Sequence, residues 1–575
     1  MELFAKYLKL HKWKTISALL LKFTGSLMDL VIPVILATLI DEIAQQHDVM
    51  LAVRWGGYML IVSFITWIFN FSANYISSMV SGAVGYSIRK DLFGKSVYLS
   101  AAQIDYISVA SLETRLTSDT YNIQQVISTM LRMGVRAPVL LIGAIFISFT
   151  LDPVLALIIT GVMPVIIIAV SIISKRGLPL YGVVQRGEDD MAGCVRENVL
   201  GIRVIKALGA KFFETEKFRE INDNLTKSDI KATANMILTN PVANMILNIA
   251  SVLVLFVGAY RVNSGHCDVG VLLAFITYFT IILGALMNIS RIFIMTTKGI
   301  ASGDRIQQVM NYEQDLLVSE TKDKKDAPYI YFENVSFAYN ANMASQHQMN
   351  LQNISFGLEK GQTLGILGAT GSGKSTLLLL LMRFYDVTKG NVYIGGKNIR
   401  GIPLENLHKK FGVALQSDYL FSDTILENIC FGRELQEDEV DQSLEVSQAK
   451  NFVSAYPEGY DYKLAIKGSN LSGGQKQRLL IARAVASSPE ILILDDSSSA
   501  LDYKTDSLLR QELNKVQGDT TTVLVAQRIS SVKDSDLIII LDEGKIIDMG
   551  KHDDLMKRCK VYQDLSAHQL GVIGE

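Results

Sequence analysis

Gly368-Ala-Thr-Gly-Ser-Gly373-Lys374-Ser375-Thr376 decides how the rest of this sequence is read. It fits the pattern G-x-x-x-x-G-K-[ST]. The run before it, Thr363-Leu-Gly-Ile-Leu367, reads as a strand, and the run after it, Thr376-Leu-Leu-Leu-Leu-Leu-Met382, reads as a helix. A strand, a glycine-rich turn and a helix in that order point backbone N–H groups inward at a helix N-terminus, where they cradle phosphate. The motif spans Gly368, Ala369, Thr370, Gly371, Ser372, Gly373, Lys374, Ser375 and Thr376. Within it, Lys374 is placed to reach the β and γ phosphates and the Ser375 hydroxyl to bind Mg²⁺.

Downstream, Ile491-Leu-Ile-Leu494 runs into Asp495-Asp496. An apolar strand ending in acid is the usual partner of a phosphate loop, and its first carboxylate, Asp495, is the expected Mg²⁺-shell ligand. Further outward the pattern alternates short apolar runs with polar helices, the signature of an α/β domain.

Before residue 300 the composition is different. The chain has 575 residues, 49% apolar and 19% charged, with a mean hydropathy of +0.26, which calls for a membrane portion. A bilayer-crossing helix needs roughly 20 apolar residues. Candidates run over 16–40, 58–80, 137–151, 154–173, 242–261 and 269–294, and Asp152-Pro153 makes a tight hairpin of the middle pair. The two long connections carry most of the Lys and Arg, such as Arg89, Lys90, Arg186 and Arg203. They therefore read as cytosolic helical extensions, with both chain ends on the same side. The opening MELFAKYLKLHKWK reads as the cytosolic foot of the first span rather than a secretory signal. Domain limits fall at 1–302 for the membrane part, 303–328 for a charged linker and 329–575 for the nucleotide part.

Net charge is −2, which excludes a strongly basic nucleic-acid binder. The four cysteines are scattered and mark neither a disulfide framework nor a zinc site. Within the spans, Asn70, Asn74, Ser77 and Ser81 share one helical face, as do Asn240, Asn244, Asn248 and Ser251. Such faces line a cavity or pack helices together. Asn288 and Arg291 mark the end of the sixth stretch. Asp29 is ionisable inside the first span; it either attracts a cationic solute or is hydrogen-bonded within the bundle.

Leu471-Ser472-Gly473-Gly474-Gln475 brings these parts together: it resembles the signature of ATP-binding-cassette (ABC) proteins. Phe337-Ala-Tyr339-Asn340, Val413-Ala-Leu-Gln416 and Ser499-Ala-Leu-Asp502 follow the same family's order, and Leu112–Asp119 and Gly201–Ala207 resemble the cytosolic connections of its exporters. The resemblance covers nearly the whole chain and implies a half-transporter: an α-helical membrane domain of six helices with long cytosolic extensions, fused to an α/β phosphate-loop cassette. It implies that Tyr339 stacks on adenine and that Gln416 joins the nucleotide site to the membrane domain and to Mg²⁺. It further implies that Ser472, Gly473, Gly474 and Gln475 contact ATP held by a second subunit. Short coupling helices are expected near Tyr98–Asp105 and Leu208–Phe213.

Three positions depart from the family pattern. Asp496 stands where a glutamate base is usual, and its carboxylate is shorter by one C–C bond, about 1.5 Å. Gln527, in Val523-Leu-Val-Ala-Gln527-Arg528, stands where a histidine is usual, and it cannot become cationic. Ile466 stands where a glutamate is common. The first two changes strike the site built on this chain's own phosphate loop, while the signature it would donate is intact. The resemblance is therefore to the degenerate-site subunit of bacterial heterodimeric multidrug exporters. What it implies is an ATP- and Mg²⁺-dependent exporter in the bacterial plasma membrane, paired with a different half-transporter and moving amphipathic drugs or lipids. A homodimeric exporter and a non-transporting ATP-binding membrane sensor are the alternatives. No feature marks a peptide-processing exporter or an importer served by a binding protein.

Overall fold

The computed structural model describes residues 2–43, 46, 48–339, 349–416, 418–497, 500–516 and 518–570. The chain divides into two compact units, Met1–Val97 with Ala110–Tyr312, and Tyr98–Val109 with Glu313–Glu575.

In the first unit, six helices among the described residues are long and apolar enough to cross a membrane. They run Lys12–Ile43, Val49–Val97, Val109–Leu151, Pro153–Leu200, Lys211–Asn263 and Val269–Met310. All are longer than the apolar stretches, so the polar connections continue as helix. The hairpin at Asp152 closes by simple chemistry. Asp152 Oδ1 accepts from the N–H groups of Val154 and Leu155 at 2.8 and 3.0 Å, capping the helix that Pro153 begins. Its other oxygen takes Arg261 Nε at 2.8 Å. At that same end Asp41 accepts from Gly270 N and Val271 N, at 2.5 and 3.1 Å. Gly270 is required there, because a Cβ would lie 2.5 Å from Ala37 O.

Buried Asp119, the last residue of the Leu112–Asp119 motif, pairs with Arg305 on the last long helix and accepts from Ser302 Oγ at 2.9 Å. The polar face of the second helix divides in function. Asn70 and Asn74 hold Lys22, whereas Ser77 turns back on its own helix to Ala73 O. Asn240, Asn244 and Asn248 are exposed on this chain.

Of the two roles open to Asp29, the bonded one is seen: its carboxylate pairs with Arg136 at 3.2 Å. One expectation is corrected. The second short helix of the cytosolic connections lies at Ile202–Ala207, followed by a turn over 208–210, rather than at 208–213. Gly209, with φ of 66°, supplies the left-handed residue that ends it.

The second unit holds two sheets. Strands β1 (Ile330–Phe337), β2 (Leu351–Leu358), β4 (Lys389–Ile394) and β5 (Lys397–Asn398) form an antiparallel sheet in the order β2-β1-β4-β5. Strands β3 (Thr363–Leu367), β6 (Phe411–Ala414), β7 (Ile491–Asp495), β8 (Thr521–Val525), β9 (Leu537–Asp542) and β10 (Lys545–Gly550) form the other, ordered β10-β9-β3-β8-β7-β6. Five of these run parallel and β10 closes the edge antiparallel. Their unbroken apolar runs follow from burial on both faces. The core joins Ile366, Ile493, Val523 and Ile539 of the large sheet to Phe332 and Phe356 of the small one. Because β3, β7 and β8 are parallel neighbours, the phosphate loop, Asp495-Asp496 and Gln527 all emerge at the same carboxyl edge.

Tyr98–Val109 belongs to this second unit. Its short helix Ala101–Ile107 starts at Ser100 with a capping box to Gln103. Ser100 Oγ donates to Asp315 at 2.7 Å, Gln103 Nε2 to Glu313 O at 2.7 Å, and Tyr385 OH to Asp105.

Candidate nucleotide site

A cavity of about 520 Å³ opens at that edge, lined by Thr370, Gly371, Gly373, Lys374, Ser375 and Thr376 of the loop, and across from them by Gln416, Asp495, Asp496 and Gln527. Loop shape is dictated residue by residue. Gly373 sits at φ of 102°, where a Cβ would come within 2.7 Å of Leu351. A Cβ on Gly368 would lie 2.2 Å from Leu541 O and 2.5 Å from Ser372 Oγ, so the backbones pack too closely for any side chain. Lys374 opens the helix Lys374–Leu381 and folds its ammonium back over the loop, donating to Gly368 O at 2.8 Å and Ala369 O at 2.7 Å. Burial lowers its pKa, opposed by Asp495 and Asp496. The loop thus already supports a cation where phosphate charge would arrive.

Facing it, Asp495 is buried and accepts from Ser375 Oγ at 3.2 Å. Burial raises its pKa and the neighbouring Asp496 adds to this, while Ser375 and Lys374 oppose it. Asp496 lies just past β7 with φ of 49°, a left-handed backbone rare for a residue with a side chain. Its Oδ2 accepts from Gln527 Nε2 at 3.2 Å and from Gln416 Nε2 at 3.4 Å. Burial raises the Asp496 pKa too, with Lys374 and Arg528 pulling it back.

The remaining residues singled out from the sequence lie elsewhere. Tyr339 is outside the cavity wall but bonded to it, its hydroxyl 3.2 Å from Thr376 Oγ1, and its ring meets Tyr385 edge-on at 5.1 Å. Gly368, Ala369 and Ser372 shape the loop from behind. Ser472, Gly473, Gly474 and Gln475 are not part of the wall. They form the N-terminus of the helix Gly473–Val485, where Ser472 and Gln475 cap one another. Ser472 and Gly473 are exposed. Ser499 lies outside the described residues; Asp502 of the same motif caps the next helix through Thr505. Ile466 is 67% exposed and makes no polar contact with its aliphatic side chain.

Two parts of the site escape a sequence reading. Glu543 and Gly544, in the turn between β9 and β10, line the cavity, and Gly544 N donates to Ser372 O at 3.1 Å, bracing the loop. The sequence Leu541-Asp-Glu-Gly-Lys545 shows only a hairpin turn. Tyr385, which touches both Tyr339 and Asp105, sits in an unremarkable bend after the helix Lys374–Leu381.

Comparison with known proteins agrees with this geometry. Residues 15–286 match the family model of the ABC transporter transmembrane region and residues 351–499 that of the ABC transporter. The chain is 34% identical to the uncharacterized ABC transporter ATP-binding protein YfiB of Bacillus subtilis, over 96% of each chain. It is 30% identical to a Staphylococcus aureus ATP-binding/permease protein named for multidrug export, covering 98% of this chain and 99% of that one. The structure of a bacterial Atm1-family ABC exporter with ATP bound superposes with a TM-score of 0.82 at 23% identity, covering 98% and 99% of the two chains, and so shares the fold. With both family models matched and relatives of 30–34% identity covered almost end to end, the chain belongs to the ABC transporter family, as an ATP-hydrolysing half-transporter of the multi-pass membrane class.

Proposed function

We propose that the chain is one subunit of a heterodimeric exporter in the plasma membrane, with both termini cytosolic, binding ATP weakly committed to hydrolysis at its own loop and donating its signature to a competent partner site. The observation that carries this is the Asp496 cluster. The carboxylate in the base position is the short one, and two neutral amides, Gln527 and Gln416, donate to it. Neither amide can supply the positive charge that a histidine would offer a γ-phosphate. A general base must lie within hydrogen-bond reach of the water it activates, and a retreat of about 1 Å costs on the order of 100-fold. Meanwhile the exposed, capped start of Gly473–Val485 does not line this chain's own cavity, which leaves it available to a second subunit.

ATP fits the cavity through the loop amides, with Tyr339 beside the adenine end. Ser375, Asp495 and Gln416 bring oxygen donors of the kind Mg²⁺ prefers to one cavity. These residues fit the ion, which would neutralise phosphate charge when bound. The relative named for multidrug export supports an amphipathic cargo, drug or lipid.

The test is affinity purification of the tagged chain from its native membrane, with chain identification and an ATPase assay. A second half-transporter with Glu and His at the positions of Asp496 and Gln527 is expected, and the chain alone should hydrolyse little. Recovery of one chain type with full ATPase would establish the homodimer instead, and a complex that binds ATP but neither hydrolyses it nor moves dye would favour the sensor.

A further inference from the structure

The membrane unit holds a second cavity, of about 250 Å³, and its charge is one-sided. Lys22, Arg132 and Arg136 line it together with Asn74 and Asn288, and no carboxylate does. Lys22 is only 2% exposed, and its ammonium donates to two neutral acceptors, Asn70 Oδ1 at 2.9 Å and Asn74 Oδ1 at 3.0 Å. An ammonium has three N–H donors, so one remains for the cavity. Arg132 lies in a π-helical turn, Met130–Gly134, an irregularity that often marks functional sites. Its Nε donates to Ser128 O at 3.2 Å, and no acid pairs with it among the described residues. Asp29, outside the lining, pairs with Arg136 and also attracts Lys22, so one carboxylate stands against three cations. Of the three cations Lys22 alone is buried, and an ammonium bonded only to neutral amides inside a bundle is costly and persists where a ligand or function repays it. The adjoining wall is apolar, from Met133, Ala137 and Leu140.

We propose that this cavity binds the anionic head of an amphipathic ligand, a phosphate, sulfonate or carboxylate, whose apolar body lies along Met133 and Leu140. Lys22 and the Arg132 guanidinium donate to the head, while Asn74 and Asn288 complete its polar shell. This deepens the exporter reading, on which it rests, by naming the cargo as an anionic amphiphile. The anion has two possible sources, a membrane lipid or a soluble organic acid.

The experiment titrates three probes onto the full-length protein in neutral detergent, without nucleotide, and reads occupancy by native mass spectrometry. The probes are phosphatidylglycerol, zwitterionic phosphatidylcholine and the soluble sulfonate taurocholate. At least one anionic probe is expected to bind preferentially. Arg132→Gln should weaken it by about tenfold, the loss of one charge-assisted hydrogen bond. Arg132→Lys should retain most of the affinity. Lys22→Met serves as an independent variant, with folding checked by thermal unfolding. Preference for phosphatidylglycerol alone identifies a lipid head, and preference for taurocholate alone a soluble acid. Equal binding of all three probes, or anion binding unchanged in folded Arg132→Gln and Lys22→Met, overturns the proposal. Because no ATP is present, that failure is distinct from failure of the exporter reading, which is judged by ATP-driven transport.

Discussion

Gln527 Nε2 lies 3.2 Å from Oδ2 of Asp496, so the residue in the histidine position holds the carboxylate in the base position. A neutral amide thus pins an aspartate that is already short. Two single departures from the family pattern form one local structure.

The first expectation follows from that pair. On the heterodimer reading proposed above, Asp496→Asn should leave the steady-state ATPase of the two-chain complex within about twofold, because that reading gives this site little turnover. The double change Asp496→Glu with Gln527→His should instead raise hydrolysis at this site by at least about tenfold, by restoring reach and charge together. Steady-state phosphate release measures the first and single-turnover phosphate release the second. A collapse in Asp496→Asn to the level of a transporter lacking every base would refute the degenerate-site reading.

Ser472→Arg addresses the donated signature. Ser472 caps Gly473–Val485 through Gln475, with Ser472 Oγ 3.2 Å from Gln475 N. Arginine there removes the cap and puts a long cation at the exposed helix start. ATPase of the two-chain complex is expected to fall by about 100-fold or more, since donors aimed at a transferring phosphate are worth that much. Nucleotide binding at this chain's own loop should persist, because Ser472 does not line that cavity. Equilibrium binding of a labelled ATP analogue, measured beside ATPase, separates the two effects.

Gly368→Ala tests the loop itself. The new methyl would sit 2.2 Å from the backbone oxygen of Leu541, and that strand is held on both sides by β3 and β10. Overpacking of this kind costs about 1–3 kcal/mol. A lower thermal midpoint and loss of nucleotide-induced stabilisation are expected together. A variant with normal stability and normal ATP affinity would show that the loop relaxes freely.

How much of this was legible beforehand depends on the kind of signal. The phosphate loop, Asp495-Asp496 and the signature were readable because phosphate chemistry demands particular residues at fixed spacings. The six helices were readable because hydrocarbon demands long apolar runs. The Tyr385–Asp105 bond was not, since 280 residues separate its partners and Tyr385 stands in no motif. The Leu208–Phe213 coupling helix was misplaced because Gly209 ends the preceding helix rather than interrupting a longer one. Asp29 stayed open between two roles for a related reason. A lone carboxylate in an apolar run looks free until folding brings Arg136 beside it.

The last expectation concerns that ion pair. Asp29 Oδ2 and Arg136 Nη2 lie 3.2 Å apart, with side chains 22% and 44% exposed. Asp29→Asn preserves volume and removes the negative charge. Between the limits for exposed and buried pairs, the lost attraction should cost about 1–2 kcal/mol, seen as a lower thermal midpoint. Arg136 would then face the cavity with Lys22 and Arg132 and no acid beside it. Export of an anionic dye is therefore expected to be retained or to rise, normalised to protein level. A cationic dye should not be singled out for loss, because the carboxylate is engaged by arginine and does not line the cavity. A paired efflux assay on this one variant decides the matter. Selective loss of the cationic dye would mean that Asp29 meets the cargo directly and that its bond to Arg136 opens during transport.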